Sequence, residues 1–348
     1  MPFTLPEKGR ARAARIGRRL PAPLYHRLRP IYGRLAGAPT PPLAVPAPAP
    51  SLVIPPRRAL GPEPDFVELP PRSASPLEVW PKPPPTGFLG QLDTDFQSSL
   101  AAQWADVDLD DCLFYHRARL LDGRVIEGSW NLLDGESEYL GHIPLSGRRV
   151  LELGPATGWL TTWMEQQGAA VVGFDVGWDL SQDLIPLPGL DLERLRPDYI
   201  ARACLVQNSW WYLHRDHGLR AQAAYGSIYD LPADLGRFDT AVFGSILLHL
   251  RDPFRALEQA AHHTDDTMVV VEPLIAELVD LGPVARWNPT GAVNPTGWWH
   301  HSPDVIVDML SVLGFGRATV SYHQHPYRDE DVAGRYVDGA NFTVVARR

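Results

Sequence analysis

Apolar runs of two kinds alternate along the chain from about residue 87 to the C-terminus. Some runs are short and continuous, as in buried strands, and others repeat at helical spacing. In chain order they are RRVLELG, WLTTWMEQQG, AAVVGFD, FDTAVFGS, PFRALEQAAHH, TMVVVEP, PDVIVDMLSVLGF, RATVSYH and NFTVVARR. Strands that alternate with helices predict an α/β fold with a mostly parallel sheet and helices on both faces. The last two runs are joined by a polar loop, which predicts an antiparallel C-terminal hairpin.

Two segments of different composition precede this pattern. Residues 1–36 form a basic arm with apolar positions at helical spacing, interrupted by Pro30. The arm is either a solvated terminus, an interfacial anchor with weak contact to a membrane surface, or a transit peptide. Residues 37–86 contain seventeen of the 35 prolines and predict a linker without a packed core. We assign residues 87–141 to an N-terminal cap and residues 142–348 to the main domain.

The charge is as uneven as the proline content. The arm carries Lys8 and eight arginines against the single acid Glu7, a net +8, so the overall charge of −9 leaves −17 on residues 37–348. An acidic domain repels a phosphate backbone, which makes a nucleic-acid substrate an unfavourable interpretation. Two cysteines, Cys112 and Cys204, predict reduced thiols. With no apolar run of ~20 residues and no secretory h-region, we expect a cytoplasmic protein.

The run Val150–Trp159 predicts a buried strand, a tight loop and the start of a helix. Gly154, Ala156 and Gly158 are small, which lets the backbone approach a ligand closely. Ligands of open α/β sheets bind at the carboxyl ends of the strands. An ordinary strand–turn–helix without a ligand is the alternative. The acid Glu152 beside the loop favours a ligand with an amino group and a sulfonium over a pyrophosphate.

A second acid completes this pattern. Asp175 follows the next strand, seventeen residues after Gly158, where a carboxylate can accept hydrogen bonds from both hydroxyls of a ribose. A dinucleotide fold prefers the spacing G-x-G-x-x-G, which this loop lacks. A NAD-dependent dehydrogenase is therefore the least favoured enzyme class.

LELGPATG resembles the first motif of class I S-adenosylmethionine (SAM)-dependent methyltransferases, with Ala156 in place of the middle glycine. The resemblance extends over roughly residues 110–348. The runs YHRARLLDGRVIEGSWNLLDGESEYLGHIPLSGRRVLELGPATGW and GSIYDLPADLGRFDTAVFGSILLHLRDP are similar to the tRNA wobble-uridine carboxymethyltransferase group and its uncharacterised relatives. It implies a Rossmann-like methyltransferase sheet, with SAM as the cofactor.

The resemblance also implies roles for single residues. The methionine portion of SAM is held by Glu152 and the loop, and the ribose by Asp175. Further implied contacts are an adenine site at Ser227 and Ile228, a floor near the transferred methyl at Ser245, and a lid over the cofactor at His116. Many relatives have an acid where Ser227 stands, so the backbone N–H of Ile228 is the alternative adenine contact.

Three residues are candidates for a general base on the acceptor side. His249 follows the fourth strand, Glu272 ends the fifth strand, and His300 precedes the next helix. A histidine at this place has a pKa near the working pH, although a structural role for His249 is an equal alternative. The aromatic run Asn208–Tyr212 predicts either core packing or an apolar wall. No histidine pair has the spacing of a metal site, so we predict no metal.

The sequence therefore predicts a methyltransferase that acts on an O or N atom of a small molecule or a glycan. A tRNA-modifying enzyme is the first alternative, because the resemblance points to that group and the basic arm offsets part of the acidic charge. A non-catalytic SAM-fold module that binds partners is the second.

Overall fold

The structure, a computed structural model, describes residues 67–68, 97, 101–102, 104–177, 182–288, 295–328 and 336–348. The basic arm and nearly all of the predicted linker lie outside the described residues. Within the linker, Val67–Glu68 form the edge strand β1, antiparallel to Arg317 and Ala318. The linker interpretation did not predict this pairing, since a proline-rich composition gives no strand signal.

Eight strands of the described part form one sheet. Besides β1, they are β4 (Arg149–Leu153), β5 (Ala170–Val176), β6 (Gln222–Gly226), β7 (Phe238–Gly244), β8 (Thr264–Pro273), β11 (Arg317–Arg328) and β12 (Tyr336–Arg347). Their order in the sheet is β1-β11-β12-β8-β7-β4-β5-β6. Strands β8, β7, β4, β5 and β6 are parallel, and β12 lies antiparallel between β8 and β11. This confirms the predicted mostly parallel sheet with its C-terminal antiparallel hairpin.

Two short ribbons stand apart from the sheet. They pair β2 (Ala118–Arg119) with β3 (Val125–Ile126), and β9 (Ala285–Trp287) with β10 (Trp299–His301). Strand order reverses at the centre of the main sheet, where β5 and β7 flank β4. The carboxyl ends of β4 and β7 therefore border the crevice in which open α/β sheets bind ligands.

Helices cover both faces of the sheet, as predicted. Helices α2 (Trp159–Gln166) and α3 (Leu192–His217) lie on one face, and α4 (Pro253–His263) and α6 (Pro303–Val312) on the other. Two shorter helices are α1 (Glu136–Tyr139) and α5 (Ala276–Val279). Asp252 and Ser302 cap α4 and α6 by accepting backbone N–H groups, and each is followed by a proline at the first helical position, where its missing N–H costs nothing.

The central strands are buried on both sides, which explains their continuous apolar sequences. Val269 packs toward α2 and α3 while its neighbour Val270 packs toward α4 and α6. The predicted cap shares this core, since Phe114 and Leu132 pack in the same cluster as Val269. Its described part is thus an integral layer of the domain. Among the described residues, no helix has both the length and the apolar character needed to cross a membrane.

Candidate active site

The loop between β4 and α2 is built from residues in the left-handed conformation. Gly154, Ala156 and Gly158 have φ values of +70°, +48° and +81°. Glycine adopts this conformation freely, whereas a residue with a Cβ is strained there by roughly 1–2 kcal/mol. The backbone conformation therefore explains why this loop has small residues, and of these three Ala156 is the one that is strained.

Close packing adds a second requirement for glycine. A Cβ at Gly154 would lie 2.5 Å from Cδ1 of Ile246, and one at Gly158 would lie 2.5 Å from Cδ1 of Trp210. Trp210 is buried in α3, so the loop is pressed between that indole and the end of β7. The aromatic run Asn208–Tyr212 thus lies in α3, where Trp210 and Trp211 are buried in the core, consistent with the core-packing alternative.

Glu152 is a buried carboxylate directly beneath this loop. It is 3% exposed and accepts a hydrogen bond from the Thr161 hydroxyl, which in turn accepts one from Trp210 Nε1 at 3.0 Å. Burial raises the pKa of Glu152 to about 7, and the nearby charge of Asp175 adds to this rise. A buried acid without a cationic partner is costly, and a ligand with a positive charge would relieve that cost.

Asp175 lies inside β5, one residue before its end, and its strand neighbour Phe174 pairs with Leu153 of β4. Its carboxylate accepts the N–H of Val176 at 2.7 Å, and burial raises its pKa to about 6. Gln207 of α3 lies beside it, donating from Nε2 to the Val176 carbonyl at 2.9 Å. Gln207 Oε1 is buried and has no partner among the described residues, so it is available to a ligand donor.

The predicted adenine and lid residues surround the same crevice. Ser227 and Ile228 form a turn just after β6, in which Ser227 Oγ accepts the N–H of Tyr229 at 3.3 Å. His116 is buried against the loop, 3.3 Å from Nδ1 to Thr157 Oγ1. Burial lowers the pKa of His116 to about 4, so the ring is neutral at physiological pH.

Ser245 follows β7 with a φ of +53° and donates its N–H to Val271 at 2.8 Å. Its hydroxyl lies 3.1 Å from the hydroxyl of Tyr139, which reaches the crevice from α1. The cofactor candidates are thus brought together along the carboxyl ends of β4, β5, β6 and β7. The site combines glycines that leave no room for a Cβ, two buried acids, and an amide oxygen that has no partner among the described residues. These features fit a nucleoside with a cationic tail.

His249 ends a 3₁₀ turn, Leu247–His249, beyond Ser245. Its Nδ1 lies 2.9 Å from the Thr296 carbonyl oxygen, which can only accept, so Nδ1 carries the proton. Nε2 then presents its lone pair, and within the described part of the chain no donor bonds it. Burial lowers the pKa of His249, which keeps the ring neutral. This is the tautomer that a general base requires.

Glu272, a predicted candidate for the general base on the acceptor side, does not reach the mouth of the site. It is 1% exposed, and its Oε1 accepts the N–H of Leu247 at 2.9 Å while Oε2 lies 3.3 Å from His301 Nδ1. The prediction was wrong in placement, because the last residues of β8 are covered by the turn and by β10. Glu272 has no free oxygen with which to take a proton from an acceptor.

His300 is half-buried on β10, and its Nε2 donates to Asn288 Oδ1 at 2.7 Å. Burial and the charge of Arg286 lower its pKa. His323 and His325 contact each other and Tyr139 edge-on, at 4.9 to 5.6 Å between ring centres. No group of three or more potential metal ligands occurs among the residues that the structure describes.

Several residues of the site were not predicted. They are Tyr139, Thr161, Gln207, Thr296 and His301. Thr161 carried a weak signal, as a polar residue on the buried face of α2. The others act through contacts between distant parts of the chain, for which one sequence has no signal.

Comparison with known proteins agrees with this geometry. Residues 131–346 match the family described as a methyltransferase domain, starting inside the predicted cap. No protein of curated function matches the sequence. Similar solved structures include the magnesium protoporphyrin IX methyltransferase of Synechocystis PCC 6803 with bound S-adenosylhomocysteine (SAH), at 16% identity over 61% of this chain and 80% of that chain, with a TM-score of 0.38.

A second is the 1,6-didemethyltoxoflavin-N1-methyltransferase of Burkholderia thailandensis, at 15% identity over 81% of this chain and 94% of that chain, with a TM-score of 0.39. A third is a SAM-dependent methyltransferase of Mesorhizobium loti, at 15% identity over 62% of this chain and 100% of that chain, with a TM-score of 0.35. The family match spans more than half of the chain. The chain therefore belongs to the methyltransferase domain family and is a SAM-dependent methyltransferase.

Proposed function

We propose that this enzyme methylates an O or N atom of a small molecule or a glycan, with His249 as the general base. The observation that carries the proposal is the tautomer of His249. The Thr296 carbonyl fixes the proton on Nδ1, and the neutral ring leaves Nε2 free to accept. A hydroxyl or a protonated amine must lose a proton when it accepts a methyl group, so either acceptor needs a base placed as His249 is.

SAM supplies a methyl group on a sulfonium, whose C–S bond breaks as the acceptor atom bonds to the methyl carbon. Glu152 and the loop would hold its amino-acid portion, Asp175 its ribose, and the turn after β6 its adenine. Ser245 and Tyr139 lie where the crevice passes to the acceptor side. The acceptor proton would move to His249 Nε2. The enzyme contributes alignment and removal of that proton.

Aromatic rings beside the turn support a small acceptor. Trp287 of β9 is 46% exposed and lies 5.3 and 5.0 Å from the rings of Trp298 and Trp299. The backbone N–H of Trp298 donates to the Leu248 carbonyl at 2.8 Å, and this bond connects the aromatic group to the turn that carries His249. Sugar faces and flat rings stack on indoles of this kind.

The tRNA-modifying alternative follows from the resemblance of the motif regions. The charge of −17 on residues 37–348 weighs against it, because tRNA binding requires phosphate neutralisation. A non-catalytic module would bind SAM tightly and transfer no methyl group. These alternatives differ in what they methylate, so a transfer assay separates them.

Calorimetric titration with SAM and SAH tests the cofactor site. We expect Asp175→Ala to abolish binding and Asp234→Ala, at an exposed position after β6, to bind normally. Transfer of labelled methyl groups is then measured on glycosides, hydroxylated and amino-substituted aromatics, and bulk tRNA. We expect His249→Ala to keep SAM affinity and to lose ~10²–10⁴-fold in turnover. Label on tRNA alone, with salt-sensitive binding, would overturn the small-acceptor proposal.

A further inference from the structure

Glu272 is a buried carboxylate that the transfer step does not use. Its two oxygens contact groups from two different elements, the N–H of Leu247 and the ring of His301. Both side chains of the Glu272–His301 pair are at most 1% exposed. Placing a carboxylate in such a position is expensive, so a buried one calls for an explanation beyond packing.

Three contacts hold the turn that carries His249, and Glu272 makes one of them. Glu272 Oε1 accepts the backbone N–H of Leu247, the first residue of the turn. The Leu248 carbonyl accepts the backbone N–H of Trp298, and the His249 ring donates to the Thr296 carbonyl. The turn is thus fixed at each of its three residues. Glu272 is the only one of these anchors that carries charge.

His301 completes the arrangement from β10. Its Nδ1 lies 3.3 Å from Glu272 Oε2, and its buried Nε2 has no hydrogen-bond partner within the described part of the chain. Glu272 therefore accepts the Leu247 N–H with one oxygen and faces the His301 ring with the other.

We propose that Glu272 is a positioning residue for the methyl transfer: its buried carboxylate holds the Leu247–His249 turn so that His249 Nε2 faces the acceptor. The inference rests on the proposed function only in naming His249 as the base. Among the residues that the structure describes, Glu272 from β8 is the charged group that acts on the His249 ring; its partner His301 lies on β10, and Arg251 lies over the ring of Trp298. Of these, Glu272 is the group that favours the charged imidazolium.

The chain offers a matched control. Glu165 of α2 is also a carboxylate that accepts backbone N–H groups, from Arg220 at 2.8 Å and Ala221 at 2.7 Å, but at the end of α2 away from the site. Hydrogen exchange followed residue by residue compares Glu272→Gln and Glu272→Ala with Glu165→Ala. We expect the Leu247 amide to exchange at least tenfold faster in Glu272→Ala, and the amides of residues 220–221 to do so in Glu165→Ala.

Imidazole nitrogen NMR of the whole enzyme reports on His249 without any acceptor, the signal being assigned by its loss in His249→Gln. We expect a single Nδ1–H tautomer in the native enzyme. In Glu272→Gln, whose amide oxygen can still hold Leu247, we expect the tautomer to persist and the titration midpoint of His249 to fall. In Glu272→Ala we expect mixed tautomers, with SAM affinity within about threefold of native.

The outcomes separate the two proposals. Unchanged exchange at Leu247 and unchanged His249 signals in both Glu272 variants would overturn the positioning role. Full methyl transfer by His249→Ala would instead overturn the base assignment, while the effect of Glu272 on the turn would stand. If Glu272→Ala fails to fold, Glu272→Asp decides in its place, because the shorter side chain keeps the charge but draws back from the Leu247 N–H. We expect faster exchange at Leu247 and mixed His249 tautomers in Glu272→Asp, and native behaviour of both would overturn the positioning role.

Discussion

Replacing Glu152 with glutamine should stabilise the SAM-free enzyme at neutral and alkaline pH, although it removes a predicted cofactor contact. The ionised carboxylate is confined beneath the loop without a cation. A glutamine has nearly the same shape and its amide oxygen can still accept the hydroxyl of Thr161. The variant therefore keeps the local hydrogen bond and loses only the buried charge.

The magnitude follows from the pKa of Glu152, which burial raises from 4.5 to about 7 in the folded chain. A carboxyl group whose pKa is raised by folding contributes to the free energy of unfolding, and this contribution is full below pH 4.5 and lost as the pH rises through about 7. The gap between the two pKa values corresponds to about 3 kcal/mol at 1.36 kcal/mol for each pH unit. At pH 8 the native enzyme lacks that contribution, whereas a glutamine at position 152 does not titrate.

Urea denaturation without SAM, at pH 5 and pH 8, measures the difference. We expect similar free energies of unfolding for the two proteins at pH 5 and a higher value, by about 2–3 kcal/mol, for Glu152→Gln at pH 8. Glu193→Gln, at an exposed position in the first turn of α3, removes the same charge and should show no such gain. A glutamine variant that is less stable than the native enzyme at pH 8 would refute the reasoning.

Three further results are expected. SAM should bind more than tenfold more weakly at pH 5.5 than at pH 8 and should release protons on binding, because Glu152 and Asp175 have pKa values of about 7 and 6 and the cation favours their ionised forms. Calorimetry in two buffers measures both effects, and an affinity that does not change with pH would contradict this. Gly158→Ala should lose both SAM affinity and thermal stability, since its Cβ meets Trp210; Gly147→Ala, with a similar φ of +72° and open space around it, isolates the cost of φ alone. Ala156→Gly should leave the melting temperature nearly unchanged, because relief of strain at φ +48° offsets the greater freedom of the unfolded glycine.

The sheet was predictable because its central strands are buried on both faces and their sequences are almost purely apolar. The apolar pattern did not show β6, since Gln222–Gly226 is a half-buried strand at the edge of the described sheet and has no apolar run. The ribbon of β9 and β10 was missed for the same reason, as all three residues of β9 are exposed. Strand detection from apolar runs therefore succeeds at the sheet centre and fails at its margins.

The backbone geometry of the candidate cofactor crevice was also predictable, because it imposes constraints that limit the residue types. A left-handed φ selects glycine at Gly154 and Gly158, and the spacing to Asp175 reflects one crossover between adjacent strands. The acceptor side has no such mark. Whether a carboxylate near the end of β8 is a base or an anchor depends on which N–H groups face it, and those come from Leu247 and His301, 25 and 29 residues away. Glu272 had the right residue type for both roles, and only the fold distinguishes them: a base needs a free oxygen, and Glu272 has none.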